Sequence, residues 1–539
     1  VDSPRERISI NDNWRFTRGD PNGDSTGLLY DVRPVVRGEK DDKAADAEPS
    51  EAEKIAASTN VLKPWILPVG NDFIRDPASR HTRPEGNPGG NVSYVQYGFD
   101  DSSWRPVNLP HDWAIEGPFD ATGGSVGGGM GRLPSPGIGW YRKKLDIPAS
   151  DAGKSNAMVW LNGHLVGGWP YGYASWRVDL TPFIVPGGEN QLAIRLDNPP
   201  DSSRWYPGGG IYRNVWLTKT QPVHVSQWGT FLVTPGVSRE RATVTLKVTV
   251  DNNSRQTANV SVATEIFSLD VSGNQTGEAV ARLSPVNLQI PPAESAVAEA
   301  KAVINNPELW GPPPAQQPNR YVAVTTISDN GRMVDQYATR FGIREVRFDP
   351  DQGIFVNGER IPIRGVNQHH DLGALGAAHN DRAAQRQLEI LREMGCNAIR
   401  LSHNPPAPEL LDWCDQMGFL VMDEAFDCWE RQKTPLDFHL IFPDWHEQDL
   451  RALVRRDRNH PSVILWSVGN EVGEQYTGEA GAALARRLCD IVREEDPTRP
   501  STSAMNWSKP DMPLPAVLDV ISLNYQGEGI RQAPEFEGT

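Results

Sequence analysis

The chain has 539 residues, too many for one compact core, so about three domains are expected. Hydrophobic content is 38%, with 17 Trp, 45 Pro and 49 Gly, the profile of a loop-rich globular protein whose Trp suit domain packing and sugar-stacking surfaces. A formal charge of −16 argues against nucleic acid and anionic membranes as partners, and no apolar run approaches the roughly 18 residues that a bilayer span needs.

The chain begins at Val1 without a basic, then apolar leader, which reads as a mature or trimmed product, an exported precursor being one origin. A periplasmic or extracellular location is expected, with a cytoplasmic one as the alternative. Cys396, Cys414, Cys428 and Cys489 show no metal-binding spacing and read as buried free thiols.

Residues 1–220 read as all-β, with short strands, Gly/Pro turns and no long amphipathic period. Asn13-Trp14-Arg15-Phe16 opens the first strand. A polar segment without periodicity runs from about residue 20 to 91, and an ordered insertion is expected around Trp65-Ile66-Leu67. The glycine-rich stretch 123–131 lacks the Lys-Ser/Thr of a phosphate loop, so no nucleotide is expected there. Further strands read at 139–142, 158–161 and 191–195, with a hairpin turn at Asn162-Gly163.

Residues 221–342 alternate cleanly, Val244, Leu246, Val248 and Val250 sharing one face, and this predicts an immunoglobulin-like sandwich acting as a spacer. From about Glu345 the pattern becomes strand, loop, helix. Strands are predicted at 361–366, 397–401, 419–423, 463–468, 501–505 and 520–523. Intervening helices carry Leu388, Leu391 and Met394 (capped by Asn380, stopped by Gly395), Leu410, Leu411, Cys414 and Met417 (stopped by Gly418), Leu450, Leu453 and Val454, and Leu484, Leu488 and Ile491.

Polar residues collect at the carboxy ends of these strands: Asn367 to Asp371, then Ser402-His403-Asn404, Asp423-Glu424 with Asp427 beyond, Asn470-Glu471, and Asn524-Tyr525. Agreement on one rim predicts the active face of an α/β barrel. The segment Asn459 to Glu471 is its centre, a helix exit followed by a buried strand. Pleating places Asn470 on the face of Ile464, Trp466 and Val468, and Glu471 with Leu465 and Ser467. Glu471 is read as a catalytic acid. His369, His370, Asp371 and His403 have a spacing that permits a metal, but hydrogen bonds to substrate hydroxyls are preferred, and no metal or cofactor is expected. Ser402 follows Leu401 without the glycines of a Gly-x-Ser-x-Gly elbow.

Leu109-Pro110-His111-Asp112-Trp113, Gly365-Val366-Asn367, Arg400-Leu401-Ser402-His403-Asn404-Pro405, Asp423-Glu424-Ala425 and Asn459-His460-Pro461-Ser462 through Asn470-Glu471 together resemble glycoside hydrolase family 2, with bacterial β-galactosidases nearest. The resemblance implies a jelly-roll sugar-binding domain (1–220), an immunoglobulin-like β-sandwich (221–342) and a (β/α)8 TIM barrel (343–539), of which about six strands fall before Thr539.

It implies a retaining, exo-acting hydrolase of terminal β-D-galactosyl residues, with Glu471 as acid/base and Asn470 on the sugar 2-hydroxyl. His369, His403, Asp423, Glu424, Asn524 and Tyr525 are expected around the substrate, with Arg204 and Trp205 reaching in from the first domain. The family's nucleophile is a Glu after the seventh strand. It is therefore expected beyond residue 539, on a longer chain or a second one completing the barrel, and Glu474, Glu528 and Glu535 are not accepted as substitutes. The resemblance also implies a further strand, about ten residues more than the chain has, near 154–156. The expected partner is a β-linked oligosaccharide, and a homo-oligomer is also considered. β-Glucuronidase activity and a non-catalytic carbohydrate-binding role stand as alternatives.

Overall fold

The computed structural model describes residues 4–21, 68–83, 85–119, 133–147, 159–200, 202–509 and 511–525. The expectations for residues 65–67, 123–131, 154–158, 528 and 535 lie outside these.

In the amino-terminal region a six-stranded antiparallel sheet runs, edge to edge, Arg105–Val107, Trp14–Arg18, Gly137–Ile147, Gly188–Asn198, Val159–Leu161 and His164–Gly167. Alternation decides its inner face: Trp14 and Phe16 are buried, while Arg15 and Thr17 between and beyond them are less so. The predicted hairpin turn is present, Asn162 and Gly163 both taking left-handed φ values of 52° and 82°. Glu6–Ser9 pairs with Trp216–Lys219, tying the beginning of this region to its end.

Next come two antiparallel sheets. One has three strands, ordered Glu294–Asn305, Arg241–Asn252 and Val223–Val237. The other has four, ordered Gln275–Ile290, Ala258–Leu269, Arg320–Asp329 and Arg332–Phe341. Val244, Leu246, Val248 and Val250 are all buried on one face, as the alternation requires, and pack with Ile266, Ala323 and Ile327 of the opposing sheet.

The remainder is a parallel sheet whose six strands lie in chain order: β1 (Gly365–Gln368), β2 (Ala398–Leu401), β3 (Leu420–Glu424), β4 (Val463–Asn470), β5 (Ser501–Met505) and β6 (Ser522–Leu523). Among the described residues four α-helices lie between them: α1 (Asp381–Glu393), α2 (Pro408–Met417), α3 (Phe442–Asp457) and α4 (Glu479–Glu495). The Asn380 side chain accepts the Ala383 N–H, and Gly418, at φ +76°, ends α2. One assignment fails: Met394 is 71% exposed. It is the carboxy-terminal cap of α1, where the chain turns off at Gly395 before its side chain can reach the sheet. All eight residues of β4 are buried, because both faces of the strand are covered.

α3 buries polar residues all round, since it contacts the other regions as well as the sheet. Trp169 Nε1 donates to Asp449 Oδ1 at 2.7 Å. Just past the helix, Asn459 accepts from Leu232 N–H at 2.9 Å and donates to Thr230 carbonyl at 2.9 Å. The residue read as a helix exit therefore also clips the barrel to the sandwich. Cys414, Cys428 and Cys489 are buried and Cys396 is half-buried, all as free thiols.

His460, between α3 and β4, holds its Nδ1 2.6 Å from Asp415, whose other oxygen accepts Ser462 N–H at 3.0 Å. Burial opposes the imidazolium, but Asp415 outweighs it and raises this histidine to about 9. An unfolded histidine titrates near 6.5, so the stabilisation is complete below about pH 6.5 and is lost as pH rises through about 9. Urea unfolding across that window should show this decline, and His460→Gln should flatten it. Equal slopes for the two proteins would dismiss the pair as a source of pH dependence.

Candidate active site

The carboxy ends of β1 to β4 and β6 converge, and the centre of the cluster is Glu424. It is the last residue of β3 and is fully buried. Arg400, on β2, clasps it through Nε and Nη2 at 2.7–2.9 Å. His403 Nδ1 lies 2.6 Å from Oε1, and Ser467 Oγ donates to Oε2 at 2.6 Å. Burial alone would push this carboxyl up, but Arg400, then His403 and Ser467, hold it below the usual carboxylate range. It is a fixed anion, and every neighbour is a donor.

Asn470 continues the network. Its Oδ1 accepts from Arg400 Nη2 at 2.8 Å, and its Nδ2 donates to Asp427 Oδ1 at 2.9 Å. The amide is thus oriented from both ends, and which atom is oxygen follows from its partners. Asp427 also accepts a two-pronged bond from Arg204 (3.0 and 2.7 Å) and one from Lys433 Nζ at 3.0 Å. Burial opposes its charge, yet Arg204 and Lys433 depress it well below the usual range.

Glu471 leaves the strand at φ +45°, a left-handed conformation that costs a non-glycine residue about 1–2 kcal/mol. Its N–H donates to Ala504 carbonyl at 2.7 Å, and its Oε1 accepts from Asn524 Nδ2 at 2.6 Å.

The face expected for Asn470 is corrected. Trp466 points to the helix layer, where Nε1 bonds Asp496 at 2.9 Å, whereas Ser467 points to Glu424. Simple alternation would send Asn470 with Trp466. The pairing with β5 slips between Ser467 and Asn470, so three residues of β4 span two of β5 and Asn470 joins the Ser467 side. The slip re-aims the amide into the site.

Asp423 is a second correction. It is fully buried, but its electrostatic neighbours are Asp457, Arg456 and His460, and burial with Asp457 raises it well above the ordinary range. With Glu424 facing inward, its neighbour on a pleated strand must face the helices. Asp423 is therefore no substrate ligand. Tyr525 is 67% exposed, whereas Asn524 is bonded into the cluster.

His369 and His403 lie edge to face with ring centroids 5.3 Å apart, and Trp205 covers both at 5.0 and 5.5 Å. Burial, then His403 and His370, depress His369 to about 4, so it is neutral at ordinary pH. His369 Nδ1 and Asn404 Nδ2 are buried without a protein hydrogen-bond partner among the described residues, as groups held for a ligand would be.

The loop carrying Arg204 and Trp205 is anchored by Asp112. This carboxylate accepts from Ala114 N–H and Gly209 N–H at 3.0 Å, Tyr206 Oη at 2.6 Å, and Ala377 N–H of the barrel at 2.9 Å. Gly208, at φ +71°, packs so closely on Ala377 that a Cβ would lie 2.4 Å from its methyl carbon. This is the structural work of the Leu-Pro-His-Asp-Trp motif.

Among the described residues, Asp412, Asp415 and His460 are the one trio of ligand-type side chains close enough to share an ion. They lie at the opening of β4, at the opposite end from the rim, and His460 and Asp415 already satisfy each other. A cavity of about 1050 Å³ lies between the regions, among Tyr212, Trp216, Trp228 and Arg456. It is not the candidate site, because none of His369, His403, Glu424, Asn470 and Glu471 lines it.

Reading from sequence places Asp427 on the rim but overlooks Arg400, Lys433 and Ser467 as members of the site. Arg400 and Ser467 could have been found from strand parity, since each shares the face of a rim residue. Lys433 belongs to a loop without periodicity and carried no signal.

Residues 223–344 match the family description "Glycosyl hydrolases family 2", and residues 348–532 match "Glycosyl hydrolases family 2, TIM barrel domain". The chain is 42% identical over 489 residues to "Beta-galactosidase BoGH2A" of Bacteroides ovatus, covering 83% of this chain and 56% of that protein. It is 34% identical over 416 residues to a "Putative beta-glucuronidase" of Formosa agariphila, covering 75% of this chain and 37% of the relative. Among solved structures, a glycosyl hydrolase family 2 member from Bacteroides cellulosilyticus superposes with a TM-score of 0.76 at 30% identity, covering 98% of this chain and 59% of the other. A Bacteroides uniformis β-glucuronidase gives 0.68 at 26% identity, with 99% and 57% covered. The chain thus spans about half the length of these relatives.

Proposed function

This chain belongs to glycosyl hydrolase family 2, and on that premise we propose that it carries the acid/base residue of a retaining, exo-acting β-D-galactosidase. The observation that carries the reading is the placement of Glu471, lifted off β4 in a strained conformation and held by Asn524 beside an amide oriented at both ends.

In this reading Glu471 gives its proton to the leaving oxygen while a second carboxylate, about 5–5.5 Å away and supplied from outside the described residues, attacks the anomeric carbon. Glu471 then takes a proton from the water that releases the sugar. Asn470 holds the 2-hydroxyl, a contact that strengthens as positive charge develops on the ring. His369, His403 and Asn404 bind other hydroxyls, and Trp205 closes the pocket from the first region, with Arg204 fixed behind it on Asp427. Residues 1–220 serve as a jelly-roll sugar-binding domain, 221–342 as an immunoglobulin-like spacer and 343–539 as the catalytic barrel.

Hydrolysis of aryl β-galactosides by the full-length protein is the test, and kcat/KM for the galactoside should exceed that for the matching β-glucuronide at least about tenfold, the effect of one well-made polar contact. The second reading, β-glucuronidase, is favoured by the Formosa agariphila and Bacteroides uniformis relatives and would reverse that ratio. Sugar binding without turnover of either would leave a carbohydrate-binding module.

A further inference from the structure

We propose that Lys433 is a positioning residue for Glu471, acting through the peptide that joins Asn470 to Glu471; this deepens the acid/base reading of Glu471 and rests on it. The carbonyl of that peptide accepts from Lys433 Nζ at 2.6 Å, and its N–H donates to Ala504 carbonyl at 2.7 Å. With both ends tied to different elements, the peptide plane cannot rotate. Such over-determination is what a non-glycine residue at φ +45° needs in order to persist.

Lys433 is itself delivered on a pinned turn. Asp437 accepts from Lys433 N–H at 2.8 Å, Thr434 N–H at 2.7 Å and His439 N–H at 3.1 Å, and lies 2.6 Å from His439 Nδ1. Two residues earlier, Arg431 N–H donates to Glu474 at 2.9 Å. The side chain of Lys433 is only 4% exposed.

Charge balance does not explain a buried ammonium here. Asp427 is already met by the two-pronged bond from Arg204, and adding a second cation carries a desolvation cost. What Lys433 alone supplies among the described residues is a donor to the Asn470 carbonyl. Without it the peptide can tilt, the backbone at Glu471 relaxes, and the carboxyl drifts from the oxygen it must protonate. Sugar contacts made by His369, His403 and Trp205 do not pass through this peptide.

The test is Lys433→Met in the full-length protein, assayed with a graded series of aryl and alkyl glycosides of the sugar that the protein turns over. Substrates with poor leaving groups need the proton, so their kcat/KM should fall roughly 10- to 100-fold, the range expected for misplacing a catalytic group by about an ångström. Dinitrophenyl glycosides, which leave unaided, should lose less than about threefold. Glu471→Gln runs in parallel and should show the same dependence more steeply. A uniform loss across the series, or none, in Lys433→Met alongside a steep Glu471→Gln series overturns the role of Lys433 alone. A flat Glu471→Gln series overturns the acid/base reading and the inference with it. Should Lys433→Met fail to fold, Lys433→Arg, whose guanidinium keeps the charge but cannot place a donor at the same point, is judged by the same criterion.

Discussion

Glu471→Gln should lower kcat/KM for unactivated glycosides by about 10²–10⁴, the usual worth of a positioned proton donor. The change is nearly isosteric, and a Gln carbonyl oxygen can still accept from Asn524 Nδ2, so the fold and the sugar contacts are expected to survive. Glycosyl transfer from substrates with good leaving groups should proceed at close to the native rate. The intermediate would then accumulate, because water is no longer deprotonated as it attacks. Azide needs no deprotonation, so added azide should restore turnover and yield the glycosyl azide with retained configuration. A loss of equal size for every leaving group, unrelieved by azide, would remove Glu471 from this role.

The fold was legible where one rule acted alone. β3 and β4 announce themselves as apolar runs, whereas the first strand, expected at 361–366, forms at Gly365–Gln368, and Asn380 and Gly418 bound helices by side-chain capping and a left-handed φ. The site was legible at the level of which strand ends matter, not of which side chains point inward. Asp423 and Glu424 look equivalent in sequence, yet a pleat separates them into opposite layers. Asn470 was assigned the wrong face because a slip in pairing with β5 leaves no local mark in composition. Lys433 could not be read at all, since its position depends on Asp437 and Glu474 folding a loop over the end of β4. Asp112 was recognised as part of a motif, but its work, joining the loop at 203–210 to Ala377, emerges only when two regions meet.

Glu424→Ala should be the most destabilising single change at the rim. Its side chain is fully buried, and Arg400, 11% exposed, is committed to it through both nitrogens. Removing one partner of a buried ion pair typically costs about 3–5 kcal/mol, because the other charge is stranded away from water. At roughly 2–4 °C per kcal/mol for a domain of this size, the barrel's melting temperature should fall by on the order of 10 °C. Activity should fall with it even below that temperature, since Arg400 also holds the Asn470 amide.

The double substitution Glu424→Ala with Arg400→Met separates charge from packing. If the stranded guanidinium is the main cost, the double variant should regain a large part of the lost stability while remaining inactive, its Asn470 amide having lost one anchor. The acid limb offers an independent check on the same carboxylate. Its folded-state proton affinity is depressed by Arg400, so its contribution is present above the ordinary glutamate value and disappears as pH falls through the lower, folded one. Wild type should therefore lose stability faster on acidification than Glu424→Ala does. Additive single losses in the double variant, together with parallel acid limbs, would mean that Glu424 acts by filling space and that the charge network is incidental.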